Sequence, residues 1–300
     1  MAARVAETLK HLNERVRLHV EDINQVNNHT LPMRDQFEQD GFLFVPGAQM
    51  RSILPGEAAA WLQLATVVAR SAPIDSNPGG DVARRHRYYS ISFYVPRAPI
   101  GSRLVHVPAL ENADGHRFTT YLQPPGANSE YEAERRFVPL PDQLLSHPGL
   151  AELVDISMRF CPRSLFGDTA PPFYKIGFHL IALKPDGLHP GWSSPRRAHF
   201  DGEYVTSIWL LEREGVIGGA SLIAERKYSD WHPDDVPPEA KLLEHVLSAP
   251  LDMLCADDRR VSHYVGPVYA KRNGEGVRSV LLLDITPMTA GDSEARLKSE

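Results

Sequence analysis

The sequence predicts an α+β chain, mainly β, built on a double-sheet jelly roll with helices from its N-terminal half packed against it. Three observations carry this reading. Short β-branched runs separated by Gly and Pro turns fill the second half, at residues 173–183, 198–211, 220–224, 251–255, 261–265 and 277–285. Apolar residues at helical spacing concentrate in the first half. No linker or composition break divides the 300 residues, so 1–300 reads as one domain. Within it, 1–160 supplies the helical cover and the substrate-side strands and lid, and 171–290 supplies the jelly-roll core.

In chain order, Val5, Leu9, Leu12, Val16 and Val20 recur between charged residues, which predicts an amphipathic helix over 3–22. Residues 36–47 read as a helix end, a Gly turn and a strand over 42–45. An Ala-rich helix follows over 55–72, with Pro55 at its start, where a missing N–H costs little. Residues 76–81 are a Pro/Gly turn. The run 84–95 is a strand loaded with cations and aromatics, and 118–123 is another strand. A polar loop carrying Asn128, Tyr131 and Arg136 leads to a helix over 150–161. In the second half, 184–197 is a turn-rich loop, 228–238 a surface insertion and 239–247 a short helix.

Composition narrows the function. The net charge is −6 with no basic block, which argues against nucleic acid and anionic membrane surfaces. No window approaches the ~20 apolar residues of a membrane span. Two cysteines, Cys161 and Cys255, are too few for a disulfide framework and fit a reducing cytoplasm. The N-terminus lacks an apolar signal core. A small-molecule substrate is the expected partner, and a second copy of the chain is the one protein partner left open.

His199-x-Asp201 stands at the mouth of the apolar run to Leu211. Alternate residues of a strand share a face, so imidazole and carboxylate point the same way. They form two-thirds of the two-His-one-carboxylate set that holds non-haem Fe(II) with positions left open. His263, on another short β-like run, is the candidate third ligand. A second match, His232-Pro233-Asp234, lies in a polar, Pro-containing stretch and reads as a loop. Arg278 is a lone cation in an apolar strand, which argues for a buried anionic partner. A guanidinium fork fits the distal carboxylate of a 2-oxo acid; Lys271 and Arg272 compete from a Gly-rich turn. Arg85 and Arg87 admit two readings: charges protecting an exposed strand edge, or grips on a substrate carboxylate.

His199-x-Asp201-Gly202, Gly218-Gly219-Ala-Ser, Asp257-Asp258-Arg259-Arg260-Val261-x-His263-x-Val-x-Pro267 and Arg278-x-Val-Leu-Leu-Leu together resemble a known family. It is that of the bacterial Fe(II)/2-oxoglutarate dioxygenases that hydroxylate free amino acids, the L-isoleucine 4-hydroxylase group above all. The resemblance spans roughly residues 80–286. It implies a double-stranded β-helix of the cupin-like kind, with Fe(II), 2-oxoglutarate and O2 as cofactor and co-substrates. His199, Asp201 and His263 fall on the iron ligands and Arg278 on the 2-oxoglutarate anchor. The implied reaction couples decarboxylation of 2-oxoglutarate, giving succinate and CO2, to hydroxylation of an unactivated C–H. Related halogenases lack the carboxylate that Asp201 supplies; desaturation or ring closure begins with the same hydrogen abstraction and stays open.

The chain departs from the family pattern at Glu203-Tyr204, at Ala220 and in the insertion 228–247, which bears on the substrate rather than the metal. A small amino acid or close derivative would be held by Arg85, Arg87, Tyr88, Gln123, Asn128 and Arg136, with Tyr88 and Tyr121 as an aliphatic wall. Two other classes remain: a non-catalytic jelly-roll binding module, and a zinc hydrolase, for which no His-Glu-x-x-His is present.

Overall fold

The computed structural model describes residues 31–75, 77, 82–123, 134–162, 173–193, 195–271 and 274–288. The helix expected over 3–22, together with Asn128, Tyr131 and Arg272, lies outside them.

Five helices are described: α1 (Leu31–Asp40), α2 (Gly47–Ile53), α3 (Gly56–Arg70), α4 (Asp142–Leu145) and α5 (Pro148–Phe160). The first strands are β1 (Phe42–Val45), β2 (Arg85–Tyr94), β3 (Leu104–His106), β4 (Leu110–Glu111), β5 (Arg117–Tyr121) and β6 (Arg135–Phe137). The later ones are β7 (Phe173–Leu183), β8 (Val205–Glu214), β9 (Val216–Gly218), β10 (Ala220–Glu225) and β11 (Lys241–Val246). The last are β12 (Met253–Asp257), β13 (Val261–Val265), β14 (Val268–Ala270) and β15 (Val277–Met288).

A seven-stranded antiparallel sheet runs β1-β12-β8-β15-β7-β2-β3. The smaller sheet β11-β10-β13 and the ribbon β9-β14 complete the jelly roll, and β4-β5-β6 form a side sheet. Period-two alternation divides each long strand between two faces. On β15, Leu281, Leu283 and Ile285 pack with Trp61 of α3 and Leu153 of α5 in the core on the helix side. Val280 packs with Ile208, Leu254 and Val265 in a second core. The helices thus cover the back of the large sheet, leaving its other face free to build a site.

The helix cover rests on close contacts. Trp61 is fully buried, and its indole N–H donates to the Leu144 carbonyl at 2.8 Å. Pro148 opens α5, and the His147 imidazole accepts from the Gly149 N–H at 3.0 Å. A Cβ on Gly149 would lie 1.9 Å from the Glu57 carbonyl oxygen, so only glycine permits this approach of α5 to α3.

Two expectations need correction, and one element was not foreseen. Residues 239–247 form no α-helix: a short 3₁₀ turn (Pro238–Ala240) leads into β11, which pairs antiparallel with β10. Good helix formers are overruled there because β10 offers an unpaired row of backbone groups. The helix α2 was not anticipated. The His199–Asp201 stretch precedes strand β8 rather than belonging to it. Among the described residues no helix is long and apolar enough to cross a membrane.

Candidate metal centre

His199 sits on an isolated two-residue bridge with His263, each backbone N–H donating to the other's carbonyl at 2.9 and 2.8 Å. This bridge, not strand alternation, brings the two imidazoles together, with ring centroids 4.3 Å apart. Asp201 follows, and Gly202 turns the chain into β8 at φ +81°, a conformation that favours glycine. The Asp201 carboxylate lies 3.7 Å from His199 Nε2 and 3.2 Å from His263 Nε2. One ligand atom from each residue falls within 4.8 Å of the others. Metal–ligand bonds of about 2.1 Å place neighbouring donors about 3 Å apart, so the three close on one ion with little adjustment.

Surrounding groups orient the ligands. His199 Nδ1 lies 3.0 Å from the Arg197 carbonyl, to which its N–H donates, leaving the Nε2 lone pair free to bind. Asp258 touches both other ligands: its Oδ2 accepts from the Asp201 N–H at 2.7 Å, and its Oδ1 lies 3.3 Å from His263 Nδ1. Burial and the His263 charge bring His199 down to about 3, so it is a neutral imidazole. Burial opposes ionisation of Asp201, but His263 and His199 hold it well below the usual carboxylate range. His263 is disfavoured as a cation by burial, yet Asp201 and Asp258 raise it to about 10. It must release that proton to offer its lone pair to a metal.

A cavity opens beside this cluster, walled by alternate residues of the large sheet: Arg278, Val280, Leu282 and Asp284 of β15, Ile181 of β7, and Arg85 and Arg87 of β2. Arg278 is 2% exposed, and its Nε and Nη2 have no partner among the described residues. It is therefore no solvated strand end. Burial first, then Arg213, lowers it to about 10, which leaves it cationic at neutral pH. Gly219, at φ +71°, lets the β9–β10 turn pass close by: a Cβ there would lie 3.4 Å from Arg278 Cδ. Two unpaired buried N–H groups on a cation fit the distal carboxylate of 2-oxoglutarate.

The expected substrate residues divide. Arg85 and Arg87 line the cavity and are buried, which excludes the exposed-edge reading. Arg85 Nε donates to Asp75 at 2.7 Å, and Arg87 Nη2 to His179 Nδ1 at 2.7 Å. Tyr121 lines the cavity too. Gln123 Nε2 donates to the Asp201 carboxylate at 3.0 Å, and its Oε1 accepts from Arg135 Nη2 at 2.5 Å. Tyr88 points away from the cavity, with its hydroxyl toward the Ser71 carbonyl at 3.3 Å. The Arg136 side chain is 65% exposed and paired with Glu134; its neighbour Arg135 lines the cavity instead. His232 and Asp234 lie on the surface, away from the cluster.

Sequence reasoning missed Arg135, His179 and Asp284. His179 and Asp284 are each a polar residue flanked by apolar ones on a buried strand, the signal that singled out Arg278, whereas Arg135 is marked only by its period-two relation to Phe137.

A jelly roll carrying two histidines and an aspartate at its mouth, with a buried unpaired arginine in the adjoining cavity, defines the class of non-haem iron oxygenases. The chain belongs to the 2OG-Fe dioxygenase family, whose model matches residues 78–284. That family uses Fe(II), 2-oxoglutarate and O2, and the His199–Asp201–His263 cluster is able to bind the iron. The solved structure of IDO from Bacillus thuringiensis is 22% identical, with a TM-score of 0.61 over 86% of this chain and 98% of that one. A bsmA homologue from Methylobium petroleophilum PM1 is 19% identical, with a TM-score of 0.63 over 91% and 98%. The Fe(II)/α-ketoglutarate-dependent dioxygenase TqaL is 13% identical, with a TM-score of 0.58 over 88% and 91%. At these identities the likeness is one of fold. No curated protein matches the chain.

Proposed function

We propose that this protein is an Fe(II)/2-oxoglutarate-dependent dioxygenase that hydroxylates an unactivated C–H of a small free amino acid or close derivative. The observation that carries the reading is the cavity wall: Arg278 of β15 offers unpaired N–H groups, and Arg87 of β2 and Arg135 of β6 stand buried in the same lining. Two separate cationic grips suit two separate carboxylates, one on 2-oxoglutarate and one on the substrate.

In this reading His199, Asp201 and His263 hold the metal, which when bound supplies the oxidising chemistry at its open positions. Arg278 fixes 2-oxoglutarate by its distal carboxylate. Arg87 and Arg135 orient the substrate carboxylate, and Tyr121 and Ile181 exclude water from the aliphatic part. Gln123 ties the Arg135 side chain to Asp201, which couples the position of the substrate to that of the ligand set.

Anaerobically purified protein loaded with Fe(II), 2-oxoglutarate and a panel of amino acids should, on exposure to O2, form succinate in step with a product one oxygen atom heavier. Succinate with a product two hydrogens lighter would move the reading to desaturation or ring closure. A panel with no coupled turnover would remove the amino-acid substrate.

A further inference from the structure

We propose that Asp284 is the specificity-determining acceptor for a positively charged amino group on the substrate. This rests on the amino-acid reading above and names the group that reading lacks.

An amino acid brings an ammonium as well as a carboxylate, and the ammonium needs an acceptor. The amide oxygen of Gln123 is already taken by Arg135. Asp284 is 1% exposed, lines the same cavity, and its Oδ1 has no partner among the described residues. A buried carboxylate oxygen without a donor is costly unless something completes it. Its other oxygen is fixed: Oδ2 lies 2.8 Å from His179 Nε2.

The contacts on His179 determine its tautomer. Arg87 can only donate, so Nδ1 of His179 must accept, and Nε2 must carry the proton that goes to Asp284. Burial and the Arg87 charge hold His179 well below the ordinary histidine value, in keeping with a neutral ring. His179 is thus a positioning residue, stacked on Tyr89 at 4.2 Å, that sets a cation on one side of itself and a carboxylate on the other. The cavity wall presents Arg87 and Asp284 separated by one imidazole and two hydrogen bonds. A zwitterion whose charges sit on one carbon meets both.

The neighbourhood selects for a cation. Burial, then the carboxylates of Asp201 and Glu203, push Asp284 well above the usual range, so it is held as the neutral acid and ionises only against an added positive charge. The nearby Lys175 is engaged by Glu203 at 2.7 Å. An incoming ammonium supplies the counter-charge that the protein does not.

The test uses the anaerobic Fe(II)–2-oxoglutarate holoenzyme and reads binding as the perturbation of its metal-to-ligand absorption band. Probes are the L-amino acids, the des-amino carboxylic acid of each that binds, and simple alkylamines of matching size. The wild type should bind an amino acid at least about a hundredfold more tightly than its des-amino analogue. Asp284→Asn, which keeps an acceptor for His179, should lose about that factor for the amino acid and leave the des-amino acid unchanged. Asp284→Glu should restore part of the preference, and a preference near unity in the wild type needs no folded variant to overturn the proposal. Amino-acid binding that survives Asp284→Asn within threefold would overturn the proposal and leave the amino-acid reading standing. Alkylamines that bind in an Asp284-dependent way while no amino acid binds would do the reverse. No binding by either probe class removes both.

Discussion

At the scale of single residues, the cavity is a set of charges held where water cannot attenuate them. Arg278→Ala removes the only partner proposed for the distal carboxylate of 2-oxoglutarate. Its Michaelis constant for 2-oxoglutarate should rise about a hundredfold, equivalent to ~2.7 kcal/mol, in steady-state assays of succinate formation. Asp258→Asn tests the orientation of the ligands, since Asp258 contacts both Asp201 and His263. Loss of such a supporting group typically costs about 10–100-fold in metal affinity, to be read as iron retained after gel filtration. Arg135→Ala should impair substrate binding while Arg136→Ala leaves it as in the wild type, measured on the same absorption band. Period two separates these two arginines: Phe137 must be buried, and Arg135, two residues before it, shares its face. The same rule selects Tyr89 over Tyr88 beside the inward Arg85 and Arg87. Asp284 was equally legible as a lone acid in the run that exposed Arg278. His199, Asp201 and His263 were legible by residue type and spacing, although their convergence comes from a backbone bridge between distant segments and a glycine turn that spacing alone does not reveal.

At the scale of elements, most strands of the second half were readable because each alternates or runs apolar between turn residues. The strand β11 was not, because Lys-Leu-Leu-Glu-His-Val satisfies helical propensity and finds its partner only when β10 lies beside it. The short α2 offers too few residues for a periodic signal. Close helix packing was equally hidden, since a glycine's neighbours are set by the fold. Gly149→Ala forces the added methyl against the Glu57 carbonyl. Overpacking of this kind costs about 1–3 kcal/mol, and about 2–4 °C of melting temperature per kcal/mol in a mid-sized domain. A thermal unfolding scan should show that drop, with iron content at low temperature unchanged.

At the scale of the whole molecule, buried histidines govern the response to acid. Burial lowers His86, His106, His179 and His199 below the ordinary value, His199 also through His263. Such groups bind protons more readily unfolded than folded, so their contribution is present above the unfolded value, near 6.5, and is lost as pH falls toward the folded ones. His263, raised to about 10, and the raised carboxyls of Asp258 and Asp284 bind their protons more tightly folded than unfolded and act the other way, but the four lowered histidines outnumber these three groups. The metal-free protein should therefore melt at lower temperature as pH is taken from about 7 to about 5. A flat profile across that interval would contradict neutral, buried imidazoles.

The single strand β15 carries Arg278, Val280, Leu282 and Asp284 on one wall of the cavity. Six steps of about 3.3 Å put its two charged ends about 20 Å apart along the backbone. The strand is a ruler, hydrogen-bonded on both sides to β7 and β8, so loop motion does not alter its graduations. It is also a ruler with coarse marks. Adding one residue between the charges would turn the far one to the helix side, so the span changes only in pairs of residues, about 6.6 Å at a time. A descendant of this chain that takes a slightly longer substrate must trim Val280 or Leu282, or rebuild the opposite wall, because its scale admits no half-step.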